Sequence, residues 1–370
     1  MEELLEQLLE ECRPFTREGK VASYIPELAK SDPAGLGICV QCSDGRHYQA
    51  GDAEKRFSIQ SVVKPMLLLL ALMDNGEEYV RSRVGVEATG KPFDAINMTD
   101  QTLLSDHLNP MVNMGAIAMC SLIRGENYEH RYQRLLELVR TLAGDPDIAL
   151  DEAVYQSERR TGSKNRALAY LLQTYGMLED DVEQVLDCYF KCCSISVNSR
   201  DLARIGFTLA NRGKPTQSDQ RLFPGRYAHY VNAVLMTCGM YDGSGDFAVN
   251  VGVPAKSGVG GGIMAVVPTK MGIGIYSPAL DQKGNSLAGI PGAHPPVPAP
   301  VSEHLLRADP PARPPRPGRA LFAPGVSPDG SPAPPPPTPP GRRRPGPPGA
   351  GASGRPRHRP APRPAPWPGP

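Results

Sequence analysis

No run of eighteen or more apolar residues occurs in the 370-residue chain, which argues against an ordinary membrane-spanning helix. Nor is there a basic flank ahead of an apolar stretch at the N-terminus. Met1 to Glu11 is acidic and amphipathic, unlike a secretory signal. Cysteine is sparse, with eight in all, far below the density of a disulfide-held scaffold. Without an export signal these thiols are expected to be reduced and the chain cytoplasmic. The sequence also lacks a phosphate loop, a dinucleotide fingerprint and a metal-ligand motif. Cys39-x-x-Cys42 has no second pair, and Cys188, Cys192 and Cys193 have no histidine nearby. Neither metal nor cofactor is therefore expected.

An excess of one charge is missing as well, with 40 basic against 39 acidic side chains, but that average joins two different polymers. Residues 291–370 hold 29 of the 41 prolines, eleven arginines, no lysine and three acids, a net charge of +8. Residues 1–290 keep 29 basic and 36 acidic side chains, net −7. Frequent proline removes donors and fixes φ, so the tail is expected to be disordered, extended and rich in Pro, Arg, Gly and Ala. The body is expected to bind neither nucleic acid nor a membrane, and its length suits one large or two modest domains.

Within the body, leucine spacing predicts a helix over 2–12, and a second is expected over 20–29. Leu36–Cys42 and His47–Gly51, with Asp44-Gly45 between them, read as a hairpin. Helical segments follow at 61–74, 113–123, 127–142, 163–175, 179–191, 198–211 and 226–237. Strand patterning returns at 246–253, 262–268 and 271–277. Strands, a long helical insert and strands again imply an α+β fold, in which both ends of the body build one antiparallel sheet beside an inserted helical subdomain.

The first chemistry-bearing sequence is Gln60-Ser61-Val-Val-Lys64-Pro65, just before a leucine-rich helix. Residues three apart share a helix face, so Lys64 can reach the Ser61 hydroxyl and take its proton if burial or a cation lowers the lysine pKa. Unpaired N–H groups at a helix start suit an oxyanion. Pro65 is tolerated there because its missing donor has no obligatory partner. Two hundred residues on, Lys256-Ser257-Gly258 opens a strand edge whose glycines permit close approach to backbone. Serine-x-x-lysine followed by lysine-serine-glycine resembles penicillin-binding proteins and serine β-lactamases. Between them Tyr189 is the best proton shuttle, if proximity to Lys64 and Lys256 lowers its pKa. On periodicity alone Tyr189 reads as a core aromatic, Glu158 as a solvated helix charge, and Asn113 and Asn165 as helix caps.

Several further motifs lie in order: Gly19-Lys-Val-Ala-Ser-Tyr-Ile-Pro26, Gly51-Asp, Asn109-Pro, Asn113-x-Gly-Ala, Ser157-Glu158 with Asn165, Tyr189-Phe, Cys238-Gly-Met-Tyr241 and Lys256-Ser-Gly-Val259-Gly-Gly-Gly-Ile. With the serine–lysine pair, residues 20–290 resemble a serine-dependent glutaminase of β-lactamase-like fold. The resemblance implies hydrolysis of L-glutamine to L-glutamate and ammonia by a homo-oligomer without cofactor. It implies Ser61 as nucleophile, Lys64 and Tyr189 as proton carriers, and backbone N–H groups of Ser61 and Val259 as the oxyanion hole. Asn113, Glu158, Asn165 and Tyr241 would hold the amino-acid end, with Lys256, Ser257 and Gly258 in support. Glutamine carries an ammonium, and Glu158 offers the matching anion. Another penicillin-recognising serine hydrolase, or a non-catalytic protein binding through its Pro/Arg tail, are the alternatives. The pattern departs from the family after Ile290, where a C-terminal helix on the sheet is implied and none is legible. A frameshifted reading of GC-rich coding sequence is expected to produce such a tail.

Overall fold

A computed structural model describes residues 1–88, 108–216 and 218–290. The tail and its boundary after Ile290 lie outside the described residues. The chain divides into two units, Met1–Ala312 and Arg313–Pro370, and everything described belongs to the first.

The N-terminal part contains helix α1 (Glu2–Cys12), the hairpin β1 (Gly37–Cys42) and β2 (His47–Gly51), and the short strand β3 (Phe57–Ser58). A largely helical region follows: α2 (Lys64–Asn75), α3 (Glu77–Arg83), α4 (Asn113–Leu122), α5 (Tyr128–Ala143), strand β4 (Ala149–Leu150), α6 (Glu152–Thr161), α7 (Ser163–Thr174), α8 (Val182–Cys193), strand β5 (Ile195–Val197), α9 (Ser199–Ala210) and α10 (Gly225–Cys238). The C-terminal part adds α11 (Ser244–Asn250) and strands β6 (Ala255–Ser257), β7 (Gly262–Val267) and β8 (Met271–Tyr276). The main sheet runs β2-β1-β8-β7-β6 with antiparallel neighbours, and β3-β5-β4 form a smaller one. Both ends of the body thus supply the main sheet, as the sequence implies.

Strand β8 reads Met-Gly-Ile-Gly-Ile-Tyr, and that alternation decides how the sheet is covered. Met271, Ile273 and Ile275 join Leu5, Leu8, Leu9 and Cys12 of α1 in one apolar cluster. The opposite face carries Gly272 and Gly274, against which α9 lies flat. A Cβ on Gly274 would come within 1.9 Å of the Ser199 carbonyl oxygen, and one on Gly272 within 2.1 Å of that of Ala203. The helix starts at a capping box: Asn198 accepts from the Asp201 amide at 2.9 Å, and Asp201 accepts from the Asn198 amide at 3.0 Å.

Two sequence expectations fail. Residues 20–29 are not an α-helix: Lys20 and Leu280 exchange backbone hydrogen bonds of 2.9 and 3.0 Å, and only Leu28–Lys30 forms a 3₁₀ turn. Pro26 disfavours helical backbone at Ile25, so the segment stays irregular. Residues 246–253 are not a strand, because Asp246–Asn250 complete α11, while the strand next to β7 begins at Ala255. Short apolar alternation did not separate a two-turn helix from a strand there. Helix α3 is not among the expected segments.

Candidate active site

Ser61 lies in a 3₁₀ turn over Gln60–Val63 that leads straight into α2, with Pro65 in the first helical turn. The residue before it, Gln60, has φ of 47°, a left-handed conformation unusual outside glycine. Its side chain anchors the turn by donating from Nε2 to Ser58 Oγ at 2.8 Å and to Glu158 Oε2 at 3.3 Å. The glycine-rich loop after β6 packs against the same turn. A Cβ on Gly260 would sit 2.3 Å from the Ser58 carbonyl oxygen, and one on Gly258 2.9 Å from that of Ile59. These glycines permit Val259 to stand beside Ser61.

One cavity brings together Ser61, Asn113, Glu158, Asn165, Tyr189 and Val259. Lys64 is fully buried next to it; its Nζ donates to Asn113 Oδ1 at 2.8 Å and to the Met111 carbonyl at 3.2 Å. Asn113 in turn donates from Nδ2 to Asn165 Oδ1 at 2.9 Å and accepts from the Tyr189 hydroxyl at 3.4 Å. Neither asparagine caps a helix through its side chain: Val112 is the residue before α4, and Asn165 lies inside α7. Their amides are committed to the cavity network.

Glu158 is 5 % exposed, which removes the solvated-charge reading. Burial pushes its carboxyl up to about 8, against the opposing influences of the Gln60 hydrogen bond and the Lys64 ammonium. A carboxyl of this kind sheds its proton when a cation arrives. Burial also pushes the Tyr189 phenol well above its ordinary range, with the acidic neighbours Cys193 and Glu158 adding to it. The expected lowering of that pKa is therefore not found, because desolvation prevails.

Tyr241 stands behind Ser61 with φ of 51° and its hydroxyl directed at the serine, although burial, the larger influence, raises the phenol pKa. Lys256 lies farther back, with its ammonium 4.3 Å from the centre of the Tyr241 ring and donating to the carbonyls of Gly239 at 3.0 Å and Ser257 at 2.6 Å. Burial, reinforced by the field of Lys64, holds Lys256 well below the usual lysine range. Lys256, Ser257 and Gly258 thus support Tyr241 and the Ser61 turn from behind.

Tyr24, Gln60 and Lys164 also line the cavity without having been assigned a role from sequence. Tyr24 belongs to the irregular 20–29 segment, which is tied down where the Glu27 amide donates to Ser157 Oγ at 3.2 Å. At 57 % exposure it is a large aromatic at the rim, a feature that only the failed helix assignment concealed. Lys164 gives no signal in sequence, where it looks like any helix cation.

The glutaminase family model matches residues 19–294. A glutaminase of Clostridium tetani is 51 % identical over 290 residues, covering 78 % of this chain and 95 % of its own. A second relative, glutaminase 2 of Clostridium perfringens, is 49 % identical over 289 residues with the same coverage. Among solved structures, the covalent complex between a Bacillus subtilis glutaminase and 5-oxo-L-norleucine, formed by reaction with 6-diazo-5-oxo-L-norleucine, shares 40 % identity at a TM-score of 0.70. It aligns with 77 % of this chain and 93 % of its own. The serine turn, the cavity and these likenesses lead to one conclusion: the chain belongs to the glutaminase family.

Proposed function

We propose that the chain hydrolyses L-glutamine to L-glutamate and ammonia through a γ-glutamyl ester on Ser61. The observation that carries this is the buried carboxyl of Glu158 opening on the same cavity as the Ser61 hydroxyl. Glutamine presents an ammonium at one end and a carboxamide at the other, and the cavity offers a latent anion and a nucleophile in the same arrangement.

In the acylation step Ser61 Oγ attacks the carboxamide carbon while Lys64, acting as the neutral amine, takes its proton. The backbone N–H groups of Ser61 and Val259 receive the developing oxyanion. Collapse breaks the C–N bond, and Tyr189 delivers a proton to the departing nitrogen and recovers one from Lys64, giving ammonia and the ester. Water then adds to the ester carbon, Ser61 regains its proton, and glutamate leaves. Asn113 joins the two halves of the apparatus, since its one amide accepts from Lys64 and donates to Asn165. Asn165 completes the hold on the amino-acid end, while the Tyr241 hydroxyl, directed at Ser61, bears on the serine. The covalent complex of the Bacillus subtilis relative with 5-oxo-L-norleucine supports a nucleophilic residue.

The deciding experiment is incubation with 6-diazo-5-oxo-L-norleucine followed by intact-mass measurement. The expected result is one adduct on the native chain and none on Ser61→Ala, with ammonia release from glutamine falling by roughly 10³-fold or more in that variant. Labelling or turnover that persists in Ser61→Ala overturns the assignment.

The chain is further assigned a homo-oligomeric state and a cytoplasmic location. Sedimentation and cell fractionation test these. For residues 291–370 the reading is an out-of-frame extension, supported by the end of the family match at residue 294 and by the change of composition there. Sequencing the transcript decides it.

A further inference from the structure

The sequence set aside Cys188, Cys192 and Cys193 for want of metal-binding partners. The fold supplies one. Cys188 and Cys192 lie one turn apart on α8, and Cys120 on α4 faces them, so that the three Sγ atoms lie within 4.8 Å of one another. All three residues are at most 1 % exposed. Cys193, the next residue on α8 and also buried, stands outside the group, so the triad is more than a general abundance of core thiols.

We propose that Cys120, Cys188 and Cys192 form a three-thiolate site for a soft monovalent metal ion of the copper(I) class. A metal–sulfur bond of about 2.3 Å in a trigonal arrangement sets sulfurs about 4.0 Å apart, inside the 4.8 Å that bounds their separations. No histidine or carboxylate joins the group among the described residues. An all-sulfur set selects soft ions, and zinc would need a fourth ligand to complete its tetrahedron. Loading would draw α4 and α8 together, and these helices carry Asn113 and Tyr189. Occupancy is therefore expected to change glutamine turnover. That consequence rests on the proposed function, whereas metal binding does not.

The test is anaerobic titration of the reduced full-length protein with copper(I) from a chromogenic chelator, with X-ray absorption on the loaded sample. The expected result is one copper(I) per chain bound to three sulfurs. Cys120→Ser, Cys188→Ser and Cys192→Ser should each weaken binding by more than about 100-fold with unchanged circular dichroism, while Cys42→Ser and Cys238→Ser leave it intact. Failure of the protein to compete with the chelator overturns the site, as does binding lost only in the Cys42 or Cys238 variants. If a serine variant does not fold, the sulfur count in the native chain still decides, and two or four sulfurs count against the proposal. Binding with unaltered ammonia release removes only the link to turnover.

Discussion

At the scale of single residues, function depends on how burial sets proton affinities. Burial pushes the Glu158 carboxyl up to about 8, so on the proposed function it holds, below that pH, a proton that an arriving ammonium must displace. Binding then releases a proton, and KM for glutamine should fall as pH rises through about 8 and level off above it. Initial-rate measurements from pH 6 to 9 check this, and Glu158→Gln should raise KM by at least about tenfold and erase the slope. A weakened carboxylate–ammonium hydrogen bond of about 1.5–3 kcal/mol accounts for that size. Tyr189→Phe should behave differently. It keeps the buried ring but removes the proposed proton donor, so kcat should drop by about 10²-fold or more while KM changes little, as steady-state kinetics will show.

At the scale of elements, glycines fix the spacing between layers. In Gly274→Ala the new methyl meets the Ser199 carbonyl oxygen at 1.9 Å, and α9 must shift. A loss of about 1–3 kcal/mol of stability is expected, read from the urea midpoint. Gly260→Ala should act on activity instead, because its methyl would press on Ser58 and displace the Ser61 turn. The same contrast separates what sequence made legible from what it did not. The hairpin, the Ser61–Lys64 spacing and α2 are local patterns of turn residues and apolar period, and all appear in the fold. The irregular 20–29 segment depends on the distant Leu280 and on Ser157, so no local period encodes it. Identification of Asn113, Glu158 and Asn165 came from motif resemblance, since in isolation each had an ordinary helical explanation. Cys120 could not be associated with Cys188 and Cys192 from spacing, because only the packing of α4 on α8 brings them together.

At the scale of the whole molecule, every residue assigned to the cavity lies between Tyr24 and Val259, and the family match ends at residue 294. A chain ending at Ile290 should therefore keep kcat/KM within about twofold of the full-length value, a ratio of about 0.4 kcal/mol. Assaying both proteins side by side checks it, and a large loss would show that the extension matters to the fold. The sheet order has a consequence for biosynthesis. Strand β1 pairs with β2 immediately but finds its other neighbour, β8, only after residues 271–276 have been made. Throughout translation of the intervening chain, the nascent hairpin presents an open edge that another copy could pair with. Ribosome pausing or truncation before codon 276 would thus leave aggregation-prone chains, and holdase chaperones would be most needed in that interval.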